Sequence, residues 1–182
     1  MTSPSARQTH PPAGQAYLAY LALGSNLGDR VAYLLAARRA ISSIAECSLR
    51  QVSSLYETAA WGTDEPQPDY LNAVIAVATT LKPLQLWQHT NAIEQAHGRT
   101  RSSQRNAART LDIDLLLFDD VVMNTTNLVL PHPRMHLRKF VLLPLLEIAP
   151  AIVIPGLGSA AGWLLHLVDS DARKVSQNSA WN

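Results

Sequence analysis

The run Arg109-Thr110-Leu111-Asp112-Ile113-Asp114-Leu115-Leu116-Leu117-Phe118 leaves the chain little choice of local structure. Leu111, Ile113 and Leu115 alternate with Asp112 and Asp114, the period of a strand, and the apolar residues that follow demand burial. A period of two places both carboxylates on one face, roughly 6.5–7 Å apart along the strand. Two anions beside an apolar run repel each other and resist desolvation unless a positive charge neutralises them. Mg²⁺ suits the pair, because it takes hard oxygen ligands and is held by one or two carboxylates plus substrate phosphates. A bare Asp-x-Asp also occurs on ordinary edge strands with a solvated polar face. Here Arg99, Arg101, Arg105 and Arg109 crowd the segment just upstream, and Arg109 suits a phosphate oxygen. The combination points to a phosphoryl-transfer centre.

A chain of 182 residues fits one domain with a single core. Its net charge of +1 argues against a global attraction to nucleic acid, so the positive field must be local, and the arginines of 99–109 supply one. One cysteine, Cys47, excludes an internal disulfide and a Cys-rich metal site, which suits a reducing, cytoplasmic setting. No apolar run approaches the roughly 20 residues that a membrane span needs. Residues 1–14 are rich in Ser, Pro, Thr and Ala without the apolar stretch of a secretory signal, and read as a disordered tail. Residues 176–182 read as a flexible tail as well, leaving 15–175 as the folded unit.

Residues 16–23 form a short apolar run and the first expected strand, ending at Gly24-Ser25-Asn26-Leu27-Gly28. Asp29 can cap a helix whose apolar positions Val31, Leu34, Leu35, Ile41 and Ile44 recur at helical spacing. Residues 49–58 read as a second strand, 59–68 as a loop and 70–80 as a third strand. Pro83 opens a second helix running to His97, which Gly98 closes. After the basic loop 100–108 and the acidic strand come a small hairpin (121–122 with 128–130), a helix over 135–146 interrupted by Pro144, and a last helix over 160–167. The order β-α-β-β-α-β with extra C-terminal elements predicts an α+β fold of the ferredoxin-like type.

Four further constellations carry chemistry. The Gly24–Gly28 segment lies between strand and helix, where a glycine-rich turn can approach phosphate, but without a following lysine it reads better as a turn and cap. Tyr70 and Asn72 share one strand face, an aromatic plate beside a two-way amide that suits a flat polar heterocycle; a core-edge tyrosine and a turn asparagine fit equally well. Glu94 lies one helical turn before Gly98, Arg99 and Arg101, and the arginines beyond it form a lid over developing negative charge or merely a solvated basic loop. His132 is fixed between Pro131 and Pro133, well placed to touch a ligand, though such turn histidines are often structural.

Gly-Ser-Asn-Leu-Gly at 24–28, Pro-Asp-Tyr-Leu-Asn at 68–72, Gly-Arg-Thr-Arg at 98–101, the run 109–118 and Leu130-Pro131-His132-Pro133 with its continuation to Pro150 are collinear and consistently spaced. Together, from about residue 17 to 150, they resemble the 6-hydroxymethyl-7,8-dihydropterin pyrophosphokinases of folate biosynthesis. The resemblance implies a ferredoxin-like fold and transfer of the β,γ-pyrophosphoryl group of ATP to the pterin's hydroxymethyl oxygen, with AMP released. It implies two Mg²⁺ ions on Asp112 and Asp114, and the pterin between Tyr70 and Phe140. Asn72 and Thr58 would read the pterin's edge, with backbone near Ala60 and Trp61. Arg99 and Arg109 would stabilise the transferring group, with Arg101 on a mobile catalytic loop. Asn91, Glu94, His132 and Arg138 would contact or surround the nucleotide. It further implies a monomer whose product feeds dihydropteroate synthase. Asn106-Ala107-Ala108 stand where relatives often carry Trp-Gly-Pro or Asn-Gly-Pro.

Two other classes compete with this enzyme. A non-catalytic nucleotide- or pterin-binding module is motivated by the altered 106–108 segment, yet Arg99, Arg109, Asp112 and Asp114 are all kept. An RNA-binding ferredoxin-like domain needs a basic face with stacking aromatics on its central strands. The near-neutral charge and two aspartates on the candidate strand oppose that.

Overall fold

The computed structural model describes residues 16–60, 67–98, 108–167, 172–175 and 181. Strand β1 (Tyr17–Ser25) leads into helix α1 (Arg30–Ser42), whose first turn is capped as expected, Asp29 Oδ1 accepting from Ala32 N at 3.0 Å. Next come β2 (Cys47–Val52), β3 (Tyr56–Thr58), β4 (Tyr70–Thr79) and helix α2 (Pro83–Ala96). Strand β5 (Asp112–Phe118) contains both aspartates and is followed by β6 (Met123–Asn124), β7 (Val129–Leu130) and a 3-10 turn, Met135–Leu137. Helix α3 (Lys139–Ile148), β8 (Val153–Ile154), β9 (Gly158–Ser159), helix α4 (Ala160–Leu164) and β10 (Arg173–Lys174) complete the chain.

The main sheet runs β10-β3-β4-β1-β5, with β2 also paired to β4, and every pairing is antiparallel. Alternation divides it cleanly. Leu21, Leu23, Ile75, Val77, Ile113 and Leu115 face a core shared with Leu34 and Ile41 of α1 and Leu86 of α2. Tyr20, Val74, Ala76 and Leu116 face a second core filled by Val141, Leu142, Leu145 and Ile148 of α3 and Ala160 of α4. Helices therefore cover both faces of one mixed α/β unit, and burial of the two apolar faces drives that layering.

Three readings of the sequence change. Residues 49–58 form two strands rather than one, because Ser53 takes both backbone groups of Val74, donating N–H to its carbonyl and accepting its N–H on Oγ, each at 2.9 Å. Pro144 does not interrupt its helix; α3 passes through it, and the missing N–H costs one internal bond, at the Phe140 carbonyl. The flexible tail expected at 176–182 does not hold at Trp181. That side chain is 1% exposed, donates Nε1–H to the Ser53 carbonyl at 2.7 Å, and lies under the Arg38 guanidinium, 4.8 Å from the ring centre. Arg38 Nη1 also donates to the Trp181 carbonyl. The hairpin is present, shifted to Met123–Asn124 against Val129–Leu130. The tail 1–14 lies outside the described residues.

Candidate functional site

On the α3 side of the sheet, two rows of residues run across adjacent strands. Gly24 of β1 is paired with Asn72 of β4 on one side and Asp112 of β5 on the other; Ala22 is paired with Val74 and Asp114. At roughly 4.8 Å between strands, Asn72 and Asp112 stand about 10 Å apart across a strip with almost no side chain. A Cβ at Gly24 would lie 3.4 Å from Asn72 Oδ1 and 4.0 Å from both Asp112 Cβ and the Tyr70 ring, so a larger residue would fill the trough.

The resulting cleft, partly open to solvent, is walled by Thr58, Tyr70 and Asn72 on one side and by Arg109, Asp112 and Asp114 on the other. Arg138, Phe140 and Val141, from the start of α3 and the residue before it, close the far wall. Eight of the residues singled out from the sequence meet here: Thr58, Tyr70, Asn72, Arg109, Asp112, Asp114, Arg138 and Phe140. Asn72 donates Nδ2–H to Thr58 Oγ1 at 3.0 Å, which orients the amide and makes the pair a fixed donor–acceptor edge.

The acidic wall is electrostatically loaded. Arg109 Nη1 donates to Asp112 Oδ1 at 2.8 Å, and Arg138 Nη1 donates to Asp114 Oδ2 at 3.3 Å. His132 Nε2 lies 3.7 Å from the same Asp114 oxygen. Burial, with Asp112 alongside, pushes the Asp114 carboxyl above its usual range despite the cations near it. Burial also lowers His132, against the pull of Asp114. Burial works against the Arg109 charge, but Asp112 more than compensates and its value rises. The Arg138 Nε is buried without a hydrogen-bond partner among the described residues, a donor suited to an anion.

No cluster of three or more His, Cys, Asp or Glu side chains suited to a metal exists among the described residues. The Asp112/Asp114 pair nevertheless fits a hard divalent cation that draws its remaining ligands from water and phosphate, and such a charge would offset the desolvation felt by Asp114.

Other expected residues stand outside the cleft lining. Glu94 is 1% exposed, and its Oε1 accepts the backbone N–H of Ile113 at 2.7 Å, fixing β5 from beneath. Asn91 lies on the same helix, Ala60 just beyond β3, and His132 behind Asp114, its N–H donating to the Leu116 carbonyl at 2.8 Å. Trp61, Arg99, Arg101 and residues 106–107 lie outside the described residues. The reasoning from sequence missed Gly24 and Ala22 as a floor; only the cross-strand register reveals them, although a glycine two residues from an alanine was the signal available.

The family model for 7,8-dihydro-6-hydroxymethylpterin-pyrophosphokinase matches residues 20–150. Among curated relatives, the 2-amino-4-hydroxy-6-hydroxymethyldihydropteridine pyrophosphokinase of Haemophilus influenzae is 44% identical over 137 residues, covering 75% of this chain and 84% of that protein. The Bacillus subtilis enzyme of the same name is 43% identical over 135 residues, covering 74% and 80%. Among solved structures, Plasmodium falciparum HPPK-DHPS wild type with pteroate superposes with a TM-score of 0.67 at 15% identity, over 86% of this chain and 43% of that one. This chain thus spans less than half of that larger protein, and the likeness shows a shared fold. By the match over its central 20–150 segment and by its identity to these relatives, the chain belongs to the 7,8-dihydro-6-hydroxymethylpterin-pyrophosphokinase family.

Proposed function

We propose that this chain transfers the β,γ-pyrophosphoryl group of ATP to the hydroxymethyl oxygen of 6-hydroxymethyl-7,8-dihydropterin. Its relatives are named for that activity, a diphosphokinase step of folate biosynthesis. The observation that carries the reading is the trough itself: an aromatic and amide wall faces a paired carboxylate wall across Gly24 and Ala22. In the reaction the acceptor oxygen bonds to the β-phosphorus, the bond from that phosphorus to the α–β bridging oxygen breaks, and AMP leaves with that oxygen. The hydroxyl proton passes to solvent water.

The pterin stacks between Tyr70 and Phe140, with Asn72 and Thr58 reading its polar edge and the backbone near Ala60 and Trp61 completing the pocket. Asp112 and Asp114 would hold Mg²⁺, two ions on this reading, whose charge would neutralise the triphosphate. Arg109, held by Asp112, stabilises the transferring group, and Arg99 and Arg101 add to that charge stabilisation. Arg138 and His132 face the nucleotide, Asn91 approaches it from α2, and Glu94 acts from below by holding the Ile113 amide.

The sheet order also supports a ferredoxin-like core: with β2 and β3 taken as one broken strand, it runs broken strand-β4-β1-β5, all antiparallel, with α1 and α2 on one face. No described helix is long and apolar enough to cross a membrane. We place the enzyme in the cytoplasm as a monomer, its product passing to dihydropteroate synthase. Product analysis after mixing protein, ATP, Mg²⁺ and the pterin tests the reading. Equal amounts of AMP and pterin diphosphate support it; ADP, or no turnover with ATP bound, refutes it.

A further inference from the structure

The buried amide of Asn26 lies between the two walls of the site and bonds to both. Its side chain is 1% exposed, at the end of β1 in the Gly-Ser-Asn-Leu-Gly segment. Toward the phosphate side, Asn26 Oδ1 accepts the backbone N–H of Arg109 at 2.7 Å, and the Asn26 N–H donates to the Arg109 carbonyl at 3.0 Å. Toward the acceptor side, Asn26 Nδ2 donates to Gln67 Oε1 at 3.2 Å and to the Pro68 carbonyl at 3.3 Å. The orientation of the amide is forced, since a backbone N–H can only donate and a carbonyl can only accept.

These partners are the chain entering each wall. Arg109 sits three residues before Asp112 and is bonded to it, while Pro68 sits two residues before Tyr70 and four before Asn72. Arg30, at the start of α1, reinforces the same joint by donating Nη1–H to the Asp69 carbonyl at 2.7 Å and Nη2–H to Glu57 at 2.9 Å. We infer that Asn26 is a positioning residue that sets the separation of the Arg109 side from the Tyr70/Asn72 side, and so the reach between acceptor oxygen and transferring group. The inference rests on the proposed reading of those two walls. A one-sided bond would fix one wall only; the two-faced amide couples them, and misplacement by an ångström is costly for a reaction that depends on alignment.

Asparagine's own chemistry supplies the test. Asn26→Asp keeps an oxygen for the Arg109 N–H but sets a second oxygen against two acceptors, Gln67 Oε1 and the Pro68 carbonyl. Its single-turnover rate at saturating substrates should fall about tenfold and its acceptor KM should rise, because the one remaining arm no longer couples the walls. Asn26→Ala loses both arms, so its single-turnover rate should also fall, by about tenfold or more. A single-turnover rate within about twofold of wild type in Asn26→Asp, or a lowered melting temperature with unchanged kinetics, would overturn the positioning role. Should Asn26→Ala fail to fold, Asn26→Asp decides alone: a lowered single-turnover rate with an unchanged melting temperature supports the role, and a rate within about twofold of wild type overturns it. Tyr70→Ala, run alongside, separates the two levels. If it leaves acceptor KM unchanged, the acceptor-pocket reading itself fails; if it raises KM while Asn26→Asp keeps its single-turnover rate, only the inference about Asn26 falls.

Discussion

Replacing Trp181 by alanine removes one of the largest fully buried side chains among the described residues, from a position where composition suggested a loose tail. Truncating a buried aromatic typically costs about 3–5 kcal/mol, because transfer energy and a residual cavity add. Two more losses accompany it here: the Ser53 carbonyl gives up its Nε1–H donor, and the Arg38 guanidinium its aromatic platform. We expect about 4 kcal/mol of destabilisation, which for a domain of this size lowers the melting temperature by roughly 8–16 °C. Trp181→Phe keeps much of the packing but strands the Ser53 carbonyl, and should cost about 1–3 kcal/mol. Thermal and urea unfolding followed by circular dichroism measure both. A shift below about 2 °C for Trp181→Ala would mean that the indole contributes nothing to the core and that the loose-tail reading was right.

Asp114→Ala should lower turnover by about a hundredfold or more with the fold intact, since a group stabilising charge at the reacting centre is lost; wild-type rates at saturating Mg²⁺ would refute the metal assignment. Tyr70→Ala should weaken pterin binding by about 1–3 kcal/mol, the usual worth of stacking on a flat heterocycle, while ATP binding changes little; equal losses of both would refute the stacking. Glu147 accepts from Ser54 N and Oγ, Tyr56 Oη and Lys174 Nζ at 2.7–3.0 Å, tying α3 to β3 and β10. Burial opposes its charge, but Lys174 and the Ser54 bonds win and hold it below the ordinary 4.5. Its contribution is therefore complete above pH 4.5 and is lost as pH falls through the lowered folded value, so Glu147→Gln should flatten the acid slope of the urea midpoint. Burial, reinforced by the bond to Glu147, pushes Tyr56 from 10.0 up to about 12. The folded state keeps that proton while the unfolded chain releases it, so stability should fall between pH 10 and 12 in wild type and less steeply in Tyr56→Phe.

What could be read in advance was whatever depends on neighbours along the chain. The Asp112/Asp114 face follows from a period of two, as does the shared face of Tyr70 and Asn72, and both pairs line the cleft. Asp29 as a cap and Gly98 with φ of 85° after α2 are likewise local. What escaped is cross-chain. Gly24 became a floor only because β1 lies between β4 and β5, and Glu94 met Ile113 across 19 residues. Ser53 split a strand through hydroxyl and amide bonds that no propensity encodes, and Trp181 was hidden by its polar surroundings in sequence. The basic segment around Arg99 and Arg101, with the altered residues 106–107, lies outside the described residues.

The placement of β5 at one end of the sheet has a consequence for how the protein behaves in solution. An outermost strand with open amides and carbonyls is a template on which another chain can add, and this one is nearly all leucine after Asp114. The Glu94 carboxylate occupies the Ile113 amide and the His132 amide occupies the Leu116 carbonyl, so two of the groups a stray strand would seize are already taken. With those two groups occupied, a stray strand finds fewer places to pair along the edge of β5.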